Sequence, residues 1–328
     1  MSKEQSISFI GSGNLAWHLA PALDNAGFIV REVYSRNPHH AEQLTSKLYQ
    51  AEVKATLDFS TSGSSIFIIA ASDDAIETIA REIILPDEAV LIHTSGSRPL
   101  NDLQYAATPL IGVLYPLQTF SKQKKVDFRS IPLFIESLNE ETEQVLRLLA
   151  NAISSQVQKI TSAERKAMHV AAVFASNFTN HMLNISKGIM QGYSLEYDWL
   201  KPLITESIQK SLAIGPDTAQ TGPARRGDLE TLDQHLEFLK EDPNVAEIYK
   251  LISQHIIDHF EPWSNNLIAH LVFKDCNEHS TVCFGNLSWL LATWPKFEYI
   301  RGNQFWISAI IFFELLITRS KIVVKDFH

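Results

Sequence analysis

The chain has 328 residues, 45% hydrophobic and 20% charged, enough apolar content to bury two domain cores. Its formal net charge of −9 argues against nucleic acid or an anionic membrane as the main partner, because both select basic surfaces. Two cysteines, Cys276 and Cys283, make no disulfide framework, and no long apolar stretch precedes the first strand, so a cytoplasmic protein is expected.

Residues 7–10 form a short β-type run that ends in glycine, and residues 14–26 read as a helix stopped by Gly27. A second strand is predicted at 28–34 and a second helix at 39–48. The apolar runs 65–70 and 89–93 have the composition of buried parallel strands, with a helical stretch at 73–84 between them. Further strands are predicted at 109–114 and 131–136. This alternation implies an α/β domain with a doubly wound parallel sheet. After about residue 160 the pattern turns to long helices, at 163–190, 197–214, 229–239 and 244–260, which implies an all-helical second domain. The expected division is 1–160, 161–262 and an atypical tail at 263–328, where both cysteines and four of the six tryptophans lie. In that tail the apolar run 305–318 would cover roughly 21 Å as a helix, short of a membrane's hydrocarbon core, and Glu314 interrupts it. Cys276, Cys283 and His279 match no common zinc spacing, so no metal site is expected.

Gly11-Ser12-Gly13-Asn14-Leu15-Ala16 fits G-x-G-x-x-A at the first strand-to-helix junction. The first glycine permits the tight turn, the second lets backbone approach a pyrophosphate, and Ala16 lets helix and strand pack closely. Free N–H groups at the helix N-terminus attract the phosphates. A dinucleotide is therefore the expected cofactor, bound by Gly11, Ser12, Gly13, Asn14 and Leu15, and by Ala71 and Ser72 after a later strand. The second strand ends in Val33-Tyr34-Ser35-Arg36, where NAD-binding versions carry an acid for the ribose hydroxyl. Ser35 and Arg36 suit a 2′-phosphate instead, and Glu32 comes about three residues early, so NADP is expected.

The polar residues His169, Ser176, Asn177, Asn180 and Asn184 recur at helical spacing in an otherwise apolar helix, and so share one stripe. A buried stripe of this kind needs partners, and a substrate cleft would provide them. His169 is the candidate general acid and Asn177 the candidate for orienting a carbonyl or imine. A core histidine with asparagines bonded to neighbouring helices is the alternative. Ser95-Gly96, after a strand, offers backbone N–H groups for a substrate carboxylate, with an ordinary polar loop at the sheet's C-terminal edge as the alternative. Arg225 and Arg226 offer bidentate contacts to a carboxylate, with Asp228 expected to cap the next helix. Tyr115 and Gln118 follow another strand and are placed to line the same cleft.

GSGNLAWHLA, VYSRN, HTSG at 93–96, YPLQTF at 115–120, HVAAVFASNFTNHM at 169–182 and TGPARRGD at 221–228 occur in this order. Together they resemble bacterial oxidoreductases that join a Rossmann-like domain to a helical domain of unknown function, over roughly residues 5–262. The layout is similar to pyrroline-5-carboxylate reductase, ketopantoate reductase and the 6-phosphogluconate and β-hydroxyacid dehydrogenases. In the last of these a comparable helix carries a lysine and an asparagine facing substrate; here no lysine accompanies the stripe, and His169 stands in for it. The resemblance implies NADP-linked redox chemistry on a small carbonyl or imine substrate bearing a carboxylate, and a homodimer. A non-catalytic NADP-binding sensor and a deazaflavin-linked reductase are the alternatives.

Overall fold

A computed structural model of the chain describes residues 5–260. Along the first of its two compact units, Met1–Ala219, strands and helices alternate. They run β1 (Ser6–Ile10), α1 (Ala16–Asn25), β2 (Ile29–Tyr34), α2 (Pro38–Thr45), β3 (Glu52–Lys54), β4 (Ile66–Ile69), α3 (Ile76–Glu82), β5 (Val90–His93), β6 (Ile111–Pro116), β7 (Leu133–Ser137), α4 (Glu140–Ile153) and β8 (Val157–Lys159). The described strands form one sheet in the order β3-β2-β1-β4-β5-β6-β7-β8. Every neighbouring pair is parallel except β6 and β7, which run antiparallel.

The central strands β1, β4 and β5 are buried on both faces and, apart from Ser6, Ser8 and His93, apolar. Ile7, Phe9, Ile66 and Ile68 enter one core with Leu19 and Leu23 of α1 and Leu146 and Leu149 of α4. Their alternates Ile10, Phe67 and Ile69 enter the other core, with Ile76 and Ala80 of α3 and with Leu100 and Leu103. From β1 to β8, three strands or α-helices lie where no element is predicted. Two of them, β3 and β8, have three residues each, too few for a period to show. The third, α4, has a distinct start: the Asn139 side chain accepts the Thr142 N–H at 2.8 Å, and three glutamates occupy the first turn. The antiparallel β7 is likewise a departure from the all-parallel sheet expected.

Beyond the sheet, α5 (Ser162–Ala172) passes through a π-helical segment, Val173–Phe178, into α6 (Thr179–Gly192); α7 (Lys201–Ile214) and α8 (Pro216–Ala219) follow. The predicted helix at 163–190 is thus continuous but locally underwound. It is not buried in the single chain: Val170, Phe174 and Phe178 are exposed, as are Asn177, Asn180 and Asn184. The second compact unit opens at Gln220 and contains α9 (Pro223–Arg226), α10 (Leu229–Phe238) and α11 (Pro243–Phe260), packed around Ala224, Leu232 and Ile257. Among the described residues no helix is long and apolar enough to cross a membrane. The tail at 263–328, with its cysteines, tryptophans and the run at 305–318, lies outside the described residues.

Candidate active site

The turn after β1 is built for a close approach. Gly11 has φ +114°, and its N–H donates to Tyr34 O at 2.8 Å. A Cβ at Gly11 would lie 2.3 Å from the Ala70 carbonyl oxygen, so only glycine fits. Gly13 is different: a Cβ there would meet only Ala70 O, at an ordinary 3.9 Å. The protein's own packing does not demand that glycine, as expected where the chain must come close to a ligand's phosphates. No side chain caps the start of α1; the Trp17 N–H donates to Gly13 O and those of His18 and Leu19 to Leu15 O, so the amides left to meet a ligand are those of the turn that leads into the helix. The donor set fits a dinucleotide pyrophosphate.

At the end of β2, Ser12 Oγ donates to Ser35 Oγ at 3.0 Å and ties the two loops together. Arg36 is exposed beside them. Glu32 is fully engaged within the sheet: it accepts from Ser8 Oγ at 2.7 Å and from Ser62 Oγ, and pairs with Lys54 at 3.4 Å. No acid therefore reaches the ribose position from this strand. Ala71 and Ser72 follow β4, where hydrogen bonding from Ser72 holds the Asp74 carboxyl below the usual carboxylate range, with the Arg36 charge a smaller influence.

A second constellation forms beyond the ends of β5 and β6. Burial pushes the His93 imidazole down to about 3, and its Nδ1 accepts the Ser95 N–H at 3.2 Å. Ser95 Oγ accepts the N–H groups of Ser97 and Arg98 at 3.1 and 3.0 Å. The Ser97 hydroxyl donates to Asp73 at 2.5 Å. Gly96 is pressed against two rings: a Cβ there would lie 2.5 Å from His169 Nδ1 and 2.8 Å from Tyr115 Cζ. Those rings share a hydrogen bond, Tyr115 Oη to His169 Nδ1 at 3.1 Å, with their planes at 68°. Burial raises the Tyr115 phenol, so it keeps its proton at neutral pH.

Residues 6–95 match the model of the family described as NADP oxidoreductase, coenzyme F420-dependent, and residues 131–256 match a domain of unknown function, DUF2520. A solved structure from Bacteroides fragilis, assigned as an NADP oxidoreductase, is 38% identical with a TM-score of 0.72. That alignment covers 78% of this chain and 99% of the other. The chain belongs to this two-domain NADP oxidoreductase family. The same fold recurs in a Thermotoga maritima protein, at 21% identity and TM-score 0.58 over 77% of this chain and 98% of that one. It recurs also in an imine reductase variant from Myxococcus stipitatus bound to NAD+, at 13% identity and TM-score 0.51 over 78% and 94%. No curated protein matches the sequence.

In this oxidoreductase the structure brings together His169, Gly96 and Tyr115, and separately gathers Gly11, Ser12 and Ser35. Two expectations change. The turn at 95–98 is not an open anion site, because the Ser97 and Arg98 amides donate to Ser95 Oγ and the Ser95 amide donates to His93 Nδ1. Ser95 shapes that turn with its hydroxyl. Asn177 lies exposed in the π segment, and in the single chain the polar stripe is not a buried one. Arg225 and Arg226 belong to the second unit, where Arg225 lies 4.4 Å over the Phe260 ring and Arg226 sits 3.8 Å from Asp228. Asp228 caps α10 as expected, accepting the Thr231 N–H at 3.2 Å. Sequence reasoning missed His93, Glu136 and Arg165. For Arg165 a signal existed: it precedes His169 by four residues and so shares its helix face.

Proposed function

We propose that this protein is an NADP-dependent reductase of a small carbonyl or imine substrate, with His169 as the proton donor. The observation that carries the reading is the Tyr115–His169 hydrogen bond beside Gly96. The Tyr115 phenol donates to Nδ1 and leaves the ring hydrogen on Nε2; as that hydrogen passes to a substrate oxygen or nitrogen, the phenol proton moves onto Nδ1, and water then restores the proton to Tyr115. The reduced nicotinamide, when bound, supplies the hydride. Gly11, Gly13 and the start of α1 would hold the pyrophosphate; Ser35 and Arg36 would hold the 2′-phosphate, since Glu32 is occupied. A carboxylate on the substrate has no ready receiver at the turn after β5: three of its four amides are engaged, and Arg98 is paired with Asp102 and Glu77. The partner expected besides substrate is a second copy of the chain, because large apolar side chains on α6, α7 and the π segment face water in the single chain.

An NADPH-oxidation screen across 2-oxo acids, uncharged ketones and cyclic imines tests the reading, imines being included because the fold also serves an imine reductase. His169→Ala is expected to lower turnover at least tenfold, about 1.4 kcal/mol, with NADPH affinity unchanged. Full turnover in that variant eliminates His169 as donor, and NADPH binding without oxidation of any panel member favours a sensor. For the cofactor, calorimetry is expected to show NADPH binding more tightly than NADH. Arg36→Ala should narrow that gap by about 1.5–3 kcal/mol, the value of a charge-assisted contact. Equal wild-type affinities would end the NADP assignment.

A further inference from the structure

Arg165 lies beneath the candidate proton donor and is 1% exposed. Its Nη1 donates to Ser95 O at 2.8 Å and to Arg98 O at 2.7 Å. Its Nη2 donates to Glu136 Oε2 at 2.8 Å and to Ser162 Oγ at 3.2 Å, and Ser162 in turn donates to Glu136 Oε1 at 2.7 Å. One side chain thus fastens the turn after β5, the end of β7 and the first turn of α5. A buried ion pair is a costly way to fill space, and apolar side chains of equal volume do it as well or better. The position asks for something that apolar packing does not deliver: two carbonyl oxygens held by one nitrogen while Glu136 and Ser162 are held by the other, which the planar guanidinium fork does and a single ammonium does not.

The two carbonyls belong to the turn that touches His169. Gly96 sits between them in sequence, and its backbone is packed so closely that a methyl group there would overlap both the His169 and Tyr115 rings. Arg165 and His169 are one helical turn apart on the same face. We propose that Arg165 is a positioning residue: by clamping the turn at 95–98 against α5 it fixes the plane of the His169 ring and keeps Nδ1 on the Tyr115 hydroxyl. Its functional meaning rests on the reading of His169 as the proton donor.

The test is nitrogen-15 NMR of the histidine rings in the full chain, with His169 assigned by the signals lost in His169→Gln. Two variants are compared with the wild type: Arg165→Lys, which keeps the charge but cannot hold the two carbonyls and Glu136 at the same time, and the double variant Arg165→Met with Glu136→Gln, which leaves no unpaired charge. The wild type is expected to show one His169 tautomer, with hydrogen on Nε2. Both variants are expected to show mixed tautomers, while NADPH affinity stays within twofold because the phosphate cradle is a separate set of residues. Unchanged His169 signals in both variants overturn the proposal. So does a parallel collapse of NADPH binding, which would mean a general loss of structure. Failure of the proton-donor reading shows elsewhere, as full turnover in His169→Ala, and leaves the NMR result intact.

Discussion

At the scale of single residues, the chain places titratable groups in surroundings that decide their protonation. His93 is fully buried, and burial holds its imidazole at about 3 against an ordinary 6.5. The unfolded chain therefore takes up a proton that the folded chain refuses. The stabilising difference is complete above pH 6.5 and is lost as pH falls from there toward 3. Between pH 7.5 and pH 5 this single group should cost about 2 kcal/mol of unfolding free energy, measurable by urea titration at the two values. His93→Gln should flatten that dependence. An equal pH slope in the variant would show that other groups govern acid sensitivity. Glu32 illustrates the opposite case, a residue whose type suggests a ribose contact but whose partners, Ser8, Ser62 and Lys54, leave it no free oxygen for one.

At the scale of elements, the helix that carries His169 and Arg165 has a precisely marked start. Thr161 accepts the Glu164 N–H at 3.3 Å while Glu164 accepts the Thr161 N–H at 2.8 Å, a reciprocal capping box. Glu164 is consequently held below the usual carboxylate range, first by the Thr161 backbone bond. Thr161→Ala should lower stability by about 1 kcal/mol, read from a denaturant midpoint shift with unchanged slope. A midpoint identical to wild type would show that α5 is positioned by its packing alone. The π segment that follows was not legible in the sequence, since an underwound turn leaves the apolar and polar residue types unchanged. The reversal of β7 was not legible either. Its consequence is chemical: the antiparallel register sets Glu136 opposite Val113 and Phe134 opposite Tyr115, so all four side chains share the face over which α5 packs.

At the scale of the whole molecule, the exposed apolar side chains need a partner. Phe174 is 64% exposed on the π segment, and Leu203 is 62% and Leu212 83% exposed on α7, all within one compact unit. Covering such side chains gains roughly 1.5–3 kcal/mol each, enough in combination to hold two copies together. The expected state in sedimentation equilibrium is a dimer, and Leu203→Lys should shift it toward monomer at micromolar concentration. A monomeric wild type would remove the second copy as the partner of this face.

What the sequence determined by itself were features each written within a dozen consecutive residues. The glycine turn, the early strands and helices, the Asp228 cap and the absence of an acid at the end of β2 are of this kind, because turn chemistry and periodicity are local. The neighbours of His169 are of another kind. Tyr115 stands 54 residues away from it, and Arg165 reaches a carbonyl 70 residues away. Such pairings depend on strand order, register and the direction of β7, none of which any short stretch records. Only tertiary packing could press Gly96 against an imidazole and place a guanidinium beneath it.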